Sequence, residues 1–246
     1  MIIARLENLF GKNIDNFIKY GIILSMYISN QISKKIYNNL LKYADEIILL
    51  PPFDKLPPPV SSHADMIMYK LRDSLLIHKD YYNENATLFH GISVTLTDEV
   101  ISDVYPHDIL LNALNLNGTV YGKTDSVSEY IKSDAAKIIN IKQGYARCSA
   151  CIVSDHAIIT ADRSIAAAVT DTDVLLIREG HINLDGYGYG FIGGASVKIG
   201  GKLLFFGDIT RHPDHNAVGR FCEMQGVEII SLSDEILYDY GSMVIT

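Results

Sequence analysis

The chain has no tryptophan and only three cysteines among its 246 residues. Cys148, Cys151 and Cys222 show no framework spacing, which excludes a disulfide-stapled secreted domain and predicts a reducing, cytoplasmic setting. Long apolar runs are also missing. The most apolar stretch, residues 21–29, is too short to span a bilayer, and Arg5, Glu7 and Asn8 interrupt the opening segment, so neither a membrane anchor nor a secretory leader is expected. Positive charge is scarce: 21 Lys and Arg face 29 Asp and Glu, for a net charge of −8. That balance argues against nucleic acid as the main partner, because a phosphate backbone needs a basic face. A small-molecule ligand is expected instead, with no cofactor and no metal, and a homodimer is compatible with the sequence. At 48% apolar and 20% charged residues, the composition is that of a globular chain with a substantial core.

What is present is a repeated grammar. In GGASVKIGGKLLFFGD (193–208), Ser196 to Ile199 alternate, Gly200-Gly201 supplies a two-residue turn, and Leu203 to Phe206 return, which predicts a β-hairpin. Asp208 stops the strand. A helix is predicted over 209–225, ended by Gly226, and a buried strand over 227–232. The same order, led by a small residue, recurs from Ala64, Ala113, Ala150 and Gly241, at a spacing of roughly 37–49 residues. Asp80, Asp125 and Asp162 close hairpins as Asp208 does. Upstream, residues 21–29 read as a strand, 33–44 as a helix capped by Ser33, and 46–52 as a strand, which is the second half of one repeat. The last repeat lacks a return strand.

The predicted fold is therefore α/β, a five-fold pseudosymmetric ββαβ propeller closed by pairing residues 21–29 with 243–246. It forms one domain over 20–246, preceded by an amphipathic helical extension over 1–19. Every long loop falls between the last strand of one repeat and the hairpin of the next. Such loops meet at one end of a ring, where function is expected.

The segment FIGGASVKIGGKLLFFGDITRHPDHNAVGRFCEMQGVEIISLSDEILYDYGSMVIT (191–246) resembles the last two repeats of the guanidine-modifying superfamily, which includes arginine and agmatine deiminases, amidinotransferases and dimethylarginine-hydrolysing enzymes. As architecture the resemblance covers residues 21–246. It implies a cysteine thiolate from the last repeat attacking a guanidinium carbon, a histidine acid/base, and carboxylates holding the cation. The sequence departs from that pattern. The last repeat reads Asp239, Tyr240, Gly241, Ser242, Met243, with no cysteine; Tyr145, Ala146 and Arg147 stand where the histidine would be; Asn112 is the nearest match to a Gly-Gly-Asp carboxylate. Only Asp65 stands where a substrate carboxylate is implied, so the usual reaction is not expected as usually staged.

Several polar groups remain as candidates. Cys148 or Cys151 is a nucleophile if Arg147 or His63 lowers its pKa, or else a small buried residue. Zinc at the CSAC segment is disfavoured, since strand residues three apart point to opposite faces. On a strand His63 and Asp65 share a face and form an acid/base or ligand-binding pair; the plainer alternative is a surface histidine beside a capping Ser62. His212 and His215 superficially suggest a metal site, but at a helix start they read as a solvated cap, since proline suits the first helical turn. The loop holding His181, Asp185, Tyr187 and Tyr189 closes over a ligand, or its glycines simply allow tight turns. Together these residues predict a divergent guanidine-modifying-fold protein that binds a small cationic or amino-acid-like ligand through Asp65, Asp185 and Asp239, with Asn112, Arg147 and Ser242 as further contacts. As an enzyme it would act on C–N bonds, as a hydrolase or transferase, with Cys148 or Cys151 as nucleophile and His63 as acid/base. The alternative is a non-catalytic ligand-sensing or assembly protein on the same scaffold.

Overall fold

The computed structural model describes residues 25–246, so the helix predicted over 1–19 lies outside the described residues. The described residues open with β1 (Ser25–Ser29), α1 (Lys34–Leu40) and β2 (Glu46–Leu50). A helical turn, α2 (Ala64–Ile67), leads into β3 (Met68–Lys70), β4 (Leu75–His78), α3 (Lys79–Asn85) and β5 (Val94–Thr97). Next come β6 (Leu114–Leu116), β7 (Thr119–Gly122), α4 (Glu129–Asp134) and β8 (Lys137–Asn140). A second turn, α5 (Ala146–Ser149), precedes β9 (Ala150–Ser154), β10 (Ala157–Thr160), α6 (Arg163–Ala168) and β11 (Asp173–Leu176). The last elements are β12 (Ser196–Ile199), β13 (Lys202–Phe205), α7 (His215–Met224), β14 (Glu228–Ser231) and β15 (Val244–Ile245).

These strands form five separate three-stranded sheets of one design. In each, the middle strand runs antiparallel to the first and parallel to the third, which a helical or 3₁₀ segment reaches by crossover. In the sheet ordered β15-β1-β2, the first strand comes from the far end of the chain: Met26 pairs with Ile245 and Tyr27 with Val244. This is the pairing of the two segments expected from the sequence.

Burial follows the strand order. Middle strands such as SMYIS, LLIH and AIIT are buried along their length, as near-continuous apolar runs should be. Third strands such as KIIN, DVLL and EIIS are exposed at both ends and half-buried between. They form the outer edges, and the helices pack beside them. Between the first and second sheets, Tyr27 stacks on Phe89 at 5.4 Å while Phe53 and Tyr81 meet edge to face at 5.4 Å. No helix among the described residues is long and apolar enough to cross a membrane.

The structure departs from the sequence expectation at two elements. Ala64 does not open a strand, because the His63 carbonyl accepts from the N–H groups of Met66 and Ile67 and winds α2 first. His63 and Asp65 therefore share no strand face. The helix predicted over 209–225 is split, with a 3₁₀ turn at Ile209–Arg211, an extended His212, and α7 behind it. Pro213 is the cause, since a residue before proline is pushed out of the helical region.

Candidate active site between the connecting loops

Segments preceding the first strands converge on a cavity of about 210 Å³. Its floor is His63, Cys148 and Asp239, and Tyr145, Tyr187, Tyr189 and Phe191 supply aromatic walls. Each floor residue is placed by local backbone. His63 is the N-cap of α2, Cys148 lies within α5, and Asp239 is held by two backbone donors, Phe191 N at 2.8 Å and Gly241 N at 2.9 Å. The glycines around Asp239 are required by close approach. A Cβ on Gly194 would stand 1.8 Å from Asp239 Oδ1, and one on Gly241, whose φ is +74°, would stand 2.2 Å from His63 Cβ.

Behind the floor is a hydrogen-bonded partition. Cys148 Sγ donates to Asp65 Oδ2 at 3.0 Å, and Asn112 Nδ2 donates to Cys148 Sγ at 3.0 Å. The same amide reaches the Asp65 carbonyl, while Asn112 Oδ1 accepts from Arg147 N at 2.8 Å. Arg147 Nη2 donates to Ser242 Oγ at 2.6 Å, and Ser242, at φ +58°, donates to the Ser196 carbonyl at 3.3 Å. Asp65 and Arg147, distant in sequence, thus belong to one network, and Asp239 lies close enough for its charge to act on Asp65.

Burial sets the charges. Asp65 is pushed up to about 8, first by loss of water and then by repulsion from Asp239, so it carries a proton at neutral pH. Asp239 is raised only to about 6, because its two backbone donors offset part of the burial, and it stays largely ionised. Burial pushes His63 down to about 3, and its Nδ1 lies 3.9 Å from Asp239 Oδ1, too far for a hydrogen bond. His63 is therefore neutral, and its Nδ1 has no partner. The Cys148 thiol is held well above its ordinary value first by burial, with its carboxyl neighbours Asp65 and Asp239 adding to the effect.

The remaining sequence candidates fall elsewhere. Cys151 is on β9 in an apolar cluster with Val153, Ile159, Leu203 and Phe205, and burial raises its thiol to about 12. Asp185 is exposed on the loop, its N–H donating to Tyr238 O–H. Asn112 and Ser242 act as struts of the partition and do not line the loop-end cavity. His212 is buried, against the solvated placement expected for it, because His181 packs across it with ring centres 5.4 Å apart. Beside them Arg178 forks onto Asp214, Nη2 to Oδ1 at 2.6 Å, and ties the start of the 178–195 loop to α7.

Tyr145 and Asp108 were not singled out by the sequence as a site pair. Tyr145 lines the cavity and donates its phenolic hydrogen to the buried Asp108 Oδ2 at 2.5 Å, leaving Asp108 Oδ1 without a partner. The available signal was positional: Asp65, Asp108 and Asp239 each stand a few residues ahead of a first strand.

The model of a family of unknown function, DUF6873, matches residues 27–244. No curated protein matches the sequence. Solved structures do match in fold. DDAH from Pseudomonas aeruginosa, as a cysteine-to-serine mutant complexed with citrulline, superposes with a TM-score of 0.56 at 8% identity, covering 87% of this chain and 93% of that one. Agmatine deiminase from C. jejuni gives 0.53 at 10% identity, covering 91% and 92%. An amidinotransferase of saxitoxin biosynthesis from Microseira wollei gives 0.53 at 7% identity, covering 85% and 77%. The chain thus shares the α/β fold of guanidine-modifying enzymes.

Proposed function

Because the chain belongs to DUF6873, a family of unknown function, its chemistry must be argued from its own site, and we propose that the loop-end cavity binds a small cation of the guanidinium or amino-acid type. One observation carries this reading: Asp239, buried and largely ionised, faces an aromatic cavity that no lysine or arginine lines. A buried charge demands a partner, and aromatic faces favour a cation. Asp108 behind Tyr145 adds negative potential. The five like sheets, one of them built by pairing β1 with β15, support a five-bladed propeller, in which these loops share one mouth.

A C–N hydrolase or transferase would use Cys148 Sγ as nucleophile, with His63 beside it to move the proton. A bound cation near Asp239 and Cys148 favours the thiolate, which the unliganded site suppresses. The hydrogen bonds tying Cys148 to Asp65 and Asn112 favour a second reading, in which the thiol is a fixed donor and the protein senses its ligand without turnover.

Thermal unfolding with arginine, agmatine and guanidinium, against citrulline and norvaline, zwitterions that carry no side-chain cation, tests the binding. A cation at a hundredfold its Kd stabilises by about 2.7 kcal/mol and raises Tm. Asp239→Asn abolishes the rise. A flat response to all three cations refutes the proposal. Labelling of native Cys148 by a haloacetamidine supports the catalytic form, and labelling only after unfolding supports the sensing form.

A further inference from the structure

On the other side of the Asp65–Cys148 hydrogen bond lies a second cavity, of about 420 Å³, which opens toward the hairpin turns. Residues from the first strand of every sheet line it, so its size is that of a small-molecule site and its walls are rigid. Ile152, Val197, Met243 and Val244 make those walls apolar.

Its charge is opposite to that of the loop-end cavity and of the chain as a whole. Lys70, Lys198 and Arg147 line it, and the acidic side chain among its lining residues is Asp65. Asp65 is protonated at neutral pH, so it does not cancel them. A cluster of cations with low-dielectric walls concentrates the field and attracts anions. Two residues also keep unused polar groups. Arg147 uses Nη1 on the Ala150 carbonyl at 3.2 Å and Nη2 on Ser242 Oγ at 2.6 Å, and keeps its further guanidinium N–H groups. Asp65 is 3% exposed and its Oδ1 has no partner in the fold. A buried oxygen of this kind calls for a ligand group or water.

We propose that this hairpin-end cavity binds a small carboxylate with an apolar body, its carboxylate held by Arg147 and by Lys70 and Lys198. Apolar walls reject inorganic phosphate and sulfate, which cannot compensate the strands for lost water. Planar carboxylates match the guanidinium fork. Lys198 Nζ already donates to the Gly200 carbonyl at 2.7 Å, which fixes it at the rim. The site stands apart from the cation reading of the loop-end cavity, and either can fail alone.

Calorimetric titration of the full chain with hexanoate, hexylamine and 1-hexanol tests it. Hexanoate is expected to bind saturably at one site, with the amine and alcohol far weaker. Arg147→Gln should weaken hexanoate about tenfold to a hundredfold, the loss of a charge-assisted hydrogen bond. The Lys70→Ala, Lys198→Ala double variant should weaken it about tenfold, and it remains decisive if Arg147→Gln does not fold. Val244→Trp, which fills the cavity from its edge, should abolish binding with circular dichroism unchanged. Absence of hexanoate binding, equal binding of hexylamine, or an unchanged affinity in the lysine variant overturns the proposal.

Discussion

A carboxyl group taken out of water must gather donors or keep its proton, and the two buried acids of this site divide those outcomes. Asp239 gathers the N–H groups of Phe191 and Gly241; Asp65 accepts from one thiol and keeps its proton. The difference sets a pH dependence. Asp65 titrates near 8 when folded and near 3.8 otherwise, so its stabilising contribution is complete below 3.8 and is lost as pH rises to about 8. Asp239 acts the same way but only up to about 6. His63 acts oppositely, its contribution being lost as pH falls from 6.5 toward 3. Between about 6.5 and 8, then, Asp65 alone of the three changes stability, and Tm should fall as pH rises across that window. Asp65→Asn should flatten the slope. Tm measured from pH 6.5 to 8 in both proteins checks it, and parallel slopes would contradict the protonated Asp65.

At the scale of elements, a repeated aspartate does not always do a repeated job. Asp162 accepts from the N–H groups of Ser164 and Ile165 and caps α6, whereas α4 is capped by Ser128 and Asp125 is exposed near Lys123. Asp162→Ala should cost about 1 kcal/mol in urea unfolding, and Asp125→Ala should fall within about 0.5 kcal/mol of wild type. Hairpins were legible in the sequence because turn chemistry is local: Gly200-Gly201 supplies a φ of +56° at its first position, and Asn117-Gly118 does likewise. The turns α2 and α5 were not legible. Four residues are too few to show a helical period, and α2 depends on a contact from the far end of the chain, Asp65 N to the Gly241 carbonyl. That missing turn is why His63 and Asp65 looked like strand neighbours. The buried place of Cys151 was one of the two readings the sequence offered, but the same gap hid Asn112's use as a strut, which cannot be read without knowing which way the strand entry turns. The polar character of His63, Cys148 and Asp239 just ahead of first strands was visible, because it needs only the order of elements.

The whole molecule places two cavities back to back, one with an ionised carboxylate among aromatic rings and one ringed by cations. Their common wall is the network of Asp65, Cys148, Asn112 and Arg147, so the proton on Asp65 belongs to both. Of the five sheets, the one ordered β15-β1-β2 draws its antiparallel pair from two segments far apart in the sequence. β15 and β1 pair as β12 and β13 do, and Thr246 N donates to the Ser25 carbonyl at 3.1 Å, at the position where the other sheets have a covalent turn. The antiparallel pair of that sheet therefore holds its register without a covalent turn. A circular permutant that joins Thr246 to Met1 and opens between Gly200 and Gly201 should fold to the same circular dichroism spectrum, with its melting point lowered only modestly, because β12 and β13 can keep their register by strand pairing as β15 and β1 do.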